Sequence, residues 1–177
     1  GLLNKNDQGE IYDFYRNRLM IPIKDRFRHV IGFTARDLTG TSKAKYMNSK
    51  DSDLYHKKGT IFGIDNAISQ ARKEDIFYLV EGAPDAIKLQ ANGITNTVAP
   101  LGGAWQAEQF ALLKPHAHRV CFIPDADPAK PGEKMGAGKK FVCTNGLTAL
   151  KAGLGVIVKE IPLTEDGEKQ DPDSFIN

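Results

Sequence analysis

Three short acidic motifs hold the chemistry in this sequence. Glu81-Gly82 follows the apolar run Ile76-Phe77-Tyr78-Leu79-Val80, Asp125-Ala126-Asp127 follows Val120-Cys121-Phe122-Ile123 and Pro124, and Asp171-Pro172-Asp173 stands in the tail. An Asp-x-Asp segment puts two carboxylates on one side of an extended backbone, because side chains alternate with a period of two. Hard divalent cations take oxygen ligands, and Mg²⁺ keeps several of its waters, so an open rim of carboxylates suits it better than a closed cage. Two such ions can polarise both sides of an in-line phosphoryl displacement. The plainer alternative is a solvated loop in which Asp125 and Asp127 cap turns and Glu81 is a polar strand end. Each motif alone favours that alternative, and their joint occurrence at equivalent strand ends reverses it.

Those positions have meaning only if the elements around them form one sheet. Leu19 to Ile23 and Val30 to Phe33 are short apolar runs separated by a charged stretch, which predicts a hairpin, and Asp37 to Asp53 reads as loop. Beyond Gly63 the grammar alternates. The pattern predicts a helix over 65–72, a strand over 76–80 and a helix over 84–92, with Pro84 in its first turn and Gly93 as its stop. A strand at 97–99, a helix near 104–113 and a strand at 120–123 follow, then a Pro/Gly/Lys loop, a helix near 139–152 and a strand at 156–158. This rhythm predicts an α/β fold with a parallel sheet flanked by helices, preceded by a small basic β-rich lobe. Sites in such sheets lie beyond the carboxyl ends of the strands, where Glu81 and Asp125 to Asp127 stand.

The 177 residues are 41% hydrophobic and 26% charged, which excludes disorder, collagen and coiled coil. No run approaches the ~20 apolar residues of a membrane span. Residues 1–60 carry a net charge of +5 and the rest −3, a segregation that suits an anionic partner at one end and cations at the other. Cys121 and Cys143 read as reduced core thiols, which points to the cytoplasm. Gly1 in place of Met, followed by a polar lead-in over Asn4 to Glu10, suggests a piece of a longer polypeptide.

Glu81-Gly82-Ala83-Pro84-Asp85 after one apolar strand and Asp125-Ala126-Asp127 after another resemble the Toprim domain of topoisomerases, primases and some nucleases. Asp13 to Ile23, Val30 to Phe33 leading to Arg36, Lys45-Tyr46-Met47-Asn48-Ser49 and Tyr55-His56-Lys57-Lys58-Gly59 resemble the basic subdomain of bacterial DnaG-type primases. Asp171-Pro172-Asp173-Ser174-Phe175 is similar to their third acidic motif. The resemblance runs in order over nearly the whole chain. It implies a basic subdomain over residues 1–63 that binds template or nucleotide, and a Toprim catalytic domain over 64–177. It further implies a nucleotidyltransferase that makes RNA primers from ribonucleoside triphosphates on single-stranded DNA.

By the same resemblance Glu81, Asp125 and Asp127 are catalytic and hold two or more Mg²⁺ or Mn²⁺ ions, with Asp171 completing the set, Asp85 and Asp173 supporting it, and no zinc in this stretch. Arg36, Lys45, Tyr46, Asn48 and Lys57 would contact template, primer or triphosphate. Arg16 and Arg18 could do the same, or serve packing and solubility. A replicative helicase would be reached through regions outside this chain, and no membrane is involved. The chain departs from the family pattern in three places. Pro128 to Gly136 separates Asp127 from Ala137-Gly138, Ala83-Pro84 replaces bulkier residues, and Pro100 to Gly103 is richer in glycine. These mark a divergent form of the kind carried by mobile elements or phages. A Toprim nuclease and a non-catalytic nucleic-acid-binding module are the other readings, and clustered carboxylates argue against the second because they repel a polyanion.

Other signals are weaker. Gly138-Lys139-Lys140 lacks the Ser or Thr of a phosphate-binding loop. His116 and His118 have no partners at zinc spacing, and Trp105 reads as a packing residue in the helix after Gly102-Gly103.

Overall fold

The structure is a computed structural model and describes residues 2–176. Its centre is a five-stranded sheet of β6 (Ile61–Phe62), β7 (Ile76–Leu79), β8 (Thr97–Pro100), β9 (Arg119–Phe122) and β10 (Gly155–Val158). The spatial order is β10-β9-β7-β8-β6. Four strands are parallel, while β6 joins β8 antiparallel through Ile61 opposite Pro100 and Phe62 opposite Ala99. The apolar runs predicted the three central strands because each is covered on both faces. Phe77, Leu79, Val98, Val120 and Phe122 are fully buried.

Helices α1 (Ile64–Glu74), α3 (Ala107–Leu113) and α4 (Ala137–Lys151) cover one face, with Ala67, Ala71, Phe110, Leu113 and Ala149 in one apolar cluster with the strands. Helix α2 (Ala83–Ala91) covers the other. There Ala86 and Leu89 share a second cluster with Ile23 and Tyr55 of the basic lobe, so the lobe is seated on the sheet by apolar burial. At ~25 cal/mol per Å² of apolar surface, such burial outweighs any surface ion pair between the parts.

The lobe is built on β3 (Arg18–Lys24), β4 (Val30–Asp37) and β5 (Tyr46–Asn48), all antiparallel. The β3–β4 hairpin matches the expectation. Strand β5 corrects the loop expected over Asp37 to Asp53: three residues without apolar alternation gave no strand signal, and pairing to β4 supplied it. The supposed lead-in over Asn4 to Glu10 is likewise a hairpin, β1 (Leu3–Lys5) with β2 (Ile11–Asp13). Its turn is closed by Asn6, whose Oδ1 accepts from the N–H groups of Gln8 and Glu10, and Gly9 takes the left-handed φ of +88° that the turn requires. Cys121 is buried in β9 as expected, but Cys143 is exposed on α4 rather than in the core. Trp105 precedes α3, stacked on Phe110 with ring centroids 5.5 Å apart. Among the described residues no helix is long and apolar enough to cross a membrane.

Candidate active site

Strands β7 and β9 are neighbours in parallel register, with Leu79 opposite Phe122, so the residues that follow them emerge side by side. Glu81, Asp125 and Asp127 consequently converge, with one oxygen from each lying within 4.8 Å of the others. The backbone N–H of Asp125 donates to Glu81 Oε1 at 3.1 Å, which fixes the first motif against the second. Behind the pair, α4 begins in contact with it. A Cβ on Gly136 would lie 1.9 Å from the Asp127 carbonyl oxygen, and one on Gly138 would lie 2.1 Å from that of Asp125. Only glycine permits this approach. The long Pro128–Gly136 excursion therefore returns the chain to the backbone of the acidic pair at the start of α4. Lys140 pins the excursion through Glu133 at 2.9 Å.

The tail supplies the next wall. Gln170 exchanges backbone hydrogen bonds with Ala126, and α5 (Pro172–Phe175) then packs against α2. Asp171 caps α5, accepting from Ser174 N–H at 2.8 Å and from its hydroxyl at 2.7 Å. The structure thus places Asp171 beside the three-carboxylate group rather than within it. Asp173 faces Lys88 at 4.0 Å. Asp85 is buried beside the backbone of Gly82 and Asp173, between the first and third motifs.

Burial, and after it neighbouring charge, shifts the protonation of these groups. Burial first, then the charges of Asp125 and Asp171, push Asp85 up to about 7. Burial and the nearby Asp125 raise Glu81. Burial also raises Asp125, although Lys169 pulls it the other way. Asp171 lies below its ordinary value. Burial acts against this, but the Ser174 hydrogen bonds and Lys169 prevail.

Lys169 was not among the residues expected from sequence. Its ammonium lies 2.7 Å from Asp125 Oδ2 and 3.1 Å from Asp127 Oδ1, and a lysine two residues before an acidic motif carries no distinguishing signal in the sequence. Asp125 Oδ1 is buried and has no hydrogen-bond partner among the described residues. A buried carboxylate oxygen left unpaired is costly. With Glu81 and Asp127 beside it, this oxygen fits a hard cation that takes oxygen ligands.

Opposite the acids stands the basic lobe. Arg36 pairs with Tyr46 and Thr34 with Asn48 across β4 and β5, so one face of the ladder carries all four. Thr34, Tyr46 and Asn48 line a cleft of about 210 Å³ whose other wall is Glu81 to Pro84 and Pro100 to Gly103. Asn48 Nδ2 donates to the Leu101 carbonyl at 2.6 Å, and the Lys57 stem lies over Gly102, where a Cβ would be 3.2 Å from its Cε. The glycines at 102 and 103 thus leave room at the mouth of the cleft. Arg36, Lys45 and Lys57 are exposed, and Lys45 alternates away from Tyr46 along the strand. Arg18 is held elsewhere, donating to the Ala44 carbonyl at 2.9 Å and to Ser42 Oγ at 2.7 Å. Arg16 lies over the Tyr12 ring at 4.9 Å, by the N-terminal hairpin. A second groove of about 380 Å³, lined by Lys134, Lys139 and Glu160, has Asp125 and Asp127 in its wall.

Comparison with known proteins agrees with this geometry. Residues 1–68 match the DNA primase catalytic core, N-terminal domain, and residues 78–176 match the Toprim-like family. The DNA primase of Legionella pneumophila is 38% identical over 176 residues, which cover 99% of this chain and 29% of that protein. The Aquifex aeolicus primase (zinc binding and RNA polymerase domains) is 34% identical with a TM-score of 0.86, over 99% of this chain and 40% of that one. A DnaG primase catalytic domain bound to ssDNA is 32% identical with a TM-score of 0.80, over 99% and 53%. The chain spans less than a third of the length of the curated relatives it matches. Its acidic rim, its basic lobe and these likenesses lead to one conclusion: the chain belongs to the Toprim-like family and has the fold of a DnaG-type DNA primase catalytic core.

Proposed function

We propose that this chain is the polymerising core of a primase, a nucleotidyltransferase that joins ribonucleotides on a single-stranded DNA template. The observation that carries the reading is the convergence of Glu81, Asp125 and Asp127 at the carboxyl edge of the sheet, with Glu81 across a cleft from Tyr46 and Asn48. In this division residues 1–63 grip template or nucleotide and residues 64–177 carry the chemistry. The similarity to a DnaG catalytic domain bound to ssDNA supports the template. The free cysteines support a cytoplasmic setting, and a helicase partner would act through segments outside these residues.

Glu81, Asp125 and Asp127 would hold Mg²⁺ or Mn²⁺, with Asp171 at the margin. When bound, such ions activate the attacking 3′-hydroxyl and neutralise the departing pyrophosphate. The rest is done by side chains. Glu81, raised in pKa and facing the cleft, is placed to accept the hydroxyl proton. Arg36, opposite Tyr46 in the ladder, and Lys57, over Gly102, would balance phosphate charge. Tyr46 offers a ring on which a base can stack. Asp85 and Asp173 act by holding α5 against α2. Arg16 and Arg18 lie outside the cleft and have a structural role.

Calorimetric titration of Mn²⁺ into wild type and into the combined E81A, D125A and D127A variant tests the assignment. Binding lost in the variant, with its circular dichroism unchanged, is the expected result. Equal binding contradicts it.

A further inference from the structure

Lys169 is paired with two of the three carboxylates that would hold a divalent ion. The backbone bridge between Gln170 and Ala126 fixes it beside the two aspartates that flank Ala126. The donor distances of 2.7 and 3.1 Å lie in or near the range of charge-assisted hydrogen bonds. The Asp125 and Asp127 side chains are only 13% and 17% exposed, against 50% for Lys169, so the ammonium closes their solvent side. Their inner side is closed by Glu81 and by the start of α4. Mg²⁺ binds its oxygens at about 2.0–2.1 Å, and a cation that close cannot share Asp125 Oδ2 and Asp127 Oδ1 with an ammonium without strong like-charge repulsion.

We propose that Lys169 is a built-in occupant of the cation site: its ammonium holds the Asp125 and Asp127 carboxylates together when no divalent ion is bound, and an arriving ion displaces it. The inference rests on the metal reading above. Its physical basis is tethering, since a lysine fixed by the Gln170 bridge competes at a high effective concentration. Half-exposed ion pairs are individually weak, so the competition should cost divalent binding about three- to tenfold in Kd.

The test is Mn²⁺ calorimetry on wild type, K169M, K169Q and K169R, with thermal unfolding in EDTA as a second readout. Met keeps the apolar stem without charge, Gln keeps a donor without charge, and Arg keeps the charge. We expect K169M and K169Q to bind Mn²⁺ about three- to tenfold more tightly, and K169R to bind like wild type. In EDTA both neutral variants should melt lower than wild type, because the carboxylates lose their counter-cation, and saturating Mn²⁺ should close the gap. Equal or weaker binding in K169M and K169Q, with wild type binding normally, overturns the role of Lys169 alone. No Mn²⁺ binding in any of the four overturns the metal reading and this inference with it.

Discussion

The acidic rim and the basic lobe meet at one cleft, with Glu81 on one wall and Thr34, Tyr46 and Asn48 on the other, and are built on opposite plans. Glu81, Asp125 and Asp127 are half-buried, follow two adjacent buried strands, and are locked by a backbone hydrogen bond, two close-packed glycines and a lysine. Arg36, Lys45 and Lys57 are exposed, on strand and loop segments at a sheet margin. On the proposed function, the difference follows from the ligand that each part would meet. A small divalent ion needs oxygens placed to a fraction of an ångström and gains from low dielectric. A polyanion is met by charge spread over a surface, where exact position matters little and salt screens the effect.

If the rim is a fixed site and the lobe a diffuse one, single changes in the rim should have the largest consequences. E81A, D125A and D127A should each lower RNA synthesis by about 10²–10³-fold or more, the scale of losing one preorganised electrostatic group. Steady-state primer yield with Mn²⁺ measures this. Residual activity near wild type in any of the three would remove that residue from the site.

Next in size come the glycines. G136A and G138A each put a methyl group within about 2 Å of an aspartate carbonyl, and overpacking of this kind costs about 1–3 kcal/mol or more. Urea unfolding should show the loss, with weakened Mn²⁺ binding in the same variants. A G103A control, at a glycine without a left-handed φ and with no described atom within 4 Å of its Cβ position, separates the packing penalty from the general effect of a Gly-to-Ala change.

Asp85 tests the burial of carboxylates beside like charge. Its folded pKa of about 7 lies above the ordinary 3.8, so the folded chain retains a proton that the unfolded chain has lost between those values. This contribution to stability is fully present below about pH 4 and is lost as pH rises to about 7. In EDTA, D85N should flatten that fall and stabilise the chain at pH 8 by on the order of 2 kcal/mol. Chemical denaturation at a series of pH values reads it. A steeper fall in D85N would show that the carboxylate is stabilising rather than strained.

The lobe should respond least, and in a different manner. R36A and K57A should each weaken single-strand binding with little regard to base sequence and flatten the log-log salt slope by roughly 0.7. R18A should leave the slope unchanged, because the guanidinium is already committed to Ala44 and Ser42. A slope change in R18A equal to that in R36A would erase the distinction drawn between contact and tether.

The two plans also differ in how well sequence reveals them. The central strands were legible because burial on both faces leaves an uninterrupted apolar run. The acidic motifs were legible because they sit at the ends of such runs. Lys169 was not, since only the pairing of Gln170 with Ala126 brings it to the acids, and that contact spans more than forty residues. Strand β5, the β1–β2 hairpin and two-residue β6 were missed because their register is set by partners and turn hydrogen bonds rather than by apolar alternation. Arg18 and Arg36 look alike in sequence. Only the loop that folds onto Arg18 separates them.

The central claim is that the rim performs metal-dependent nucleotidyl transfer on a template held by the lobe. Incubating the chain with short single-stranded DNA, labelled ribonucleoside triphosphates and Mn²⁺, in parallel with D127N, tests it most directly. Short labelled RNA that depends on template and metal and vanishes in D127N is the expected result. Cleaved DNA, or DNA binding with no RNA at any template or metal concentration, would contradict it.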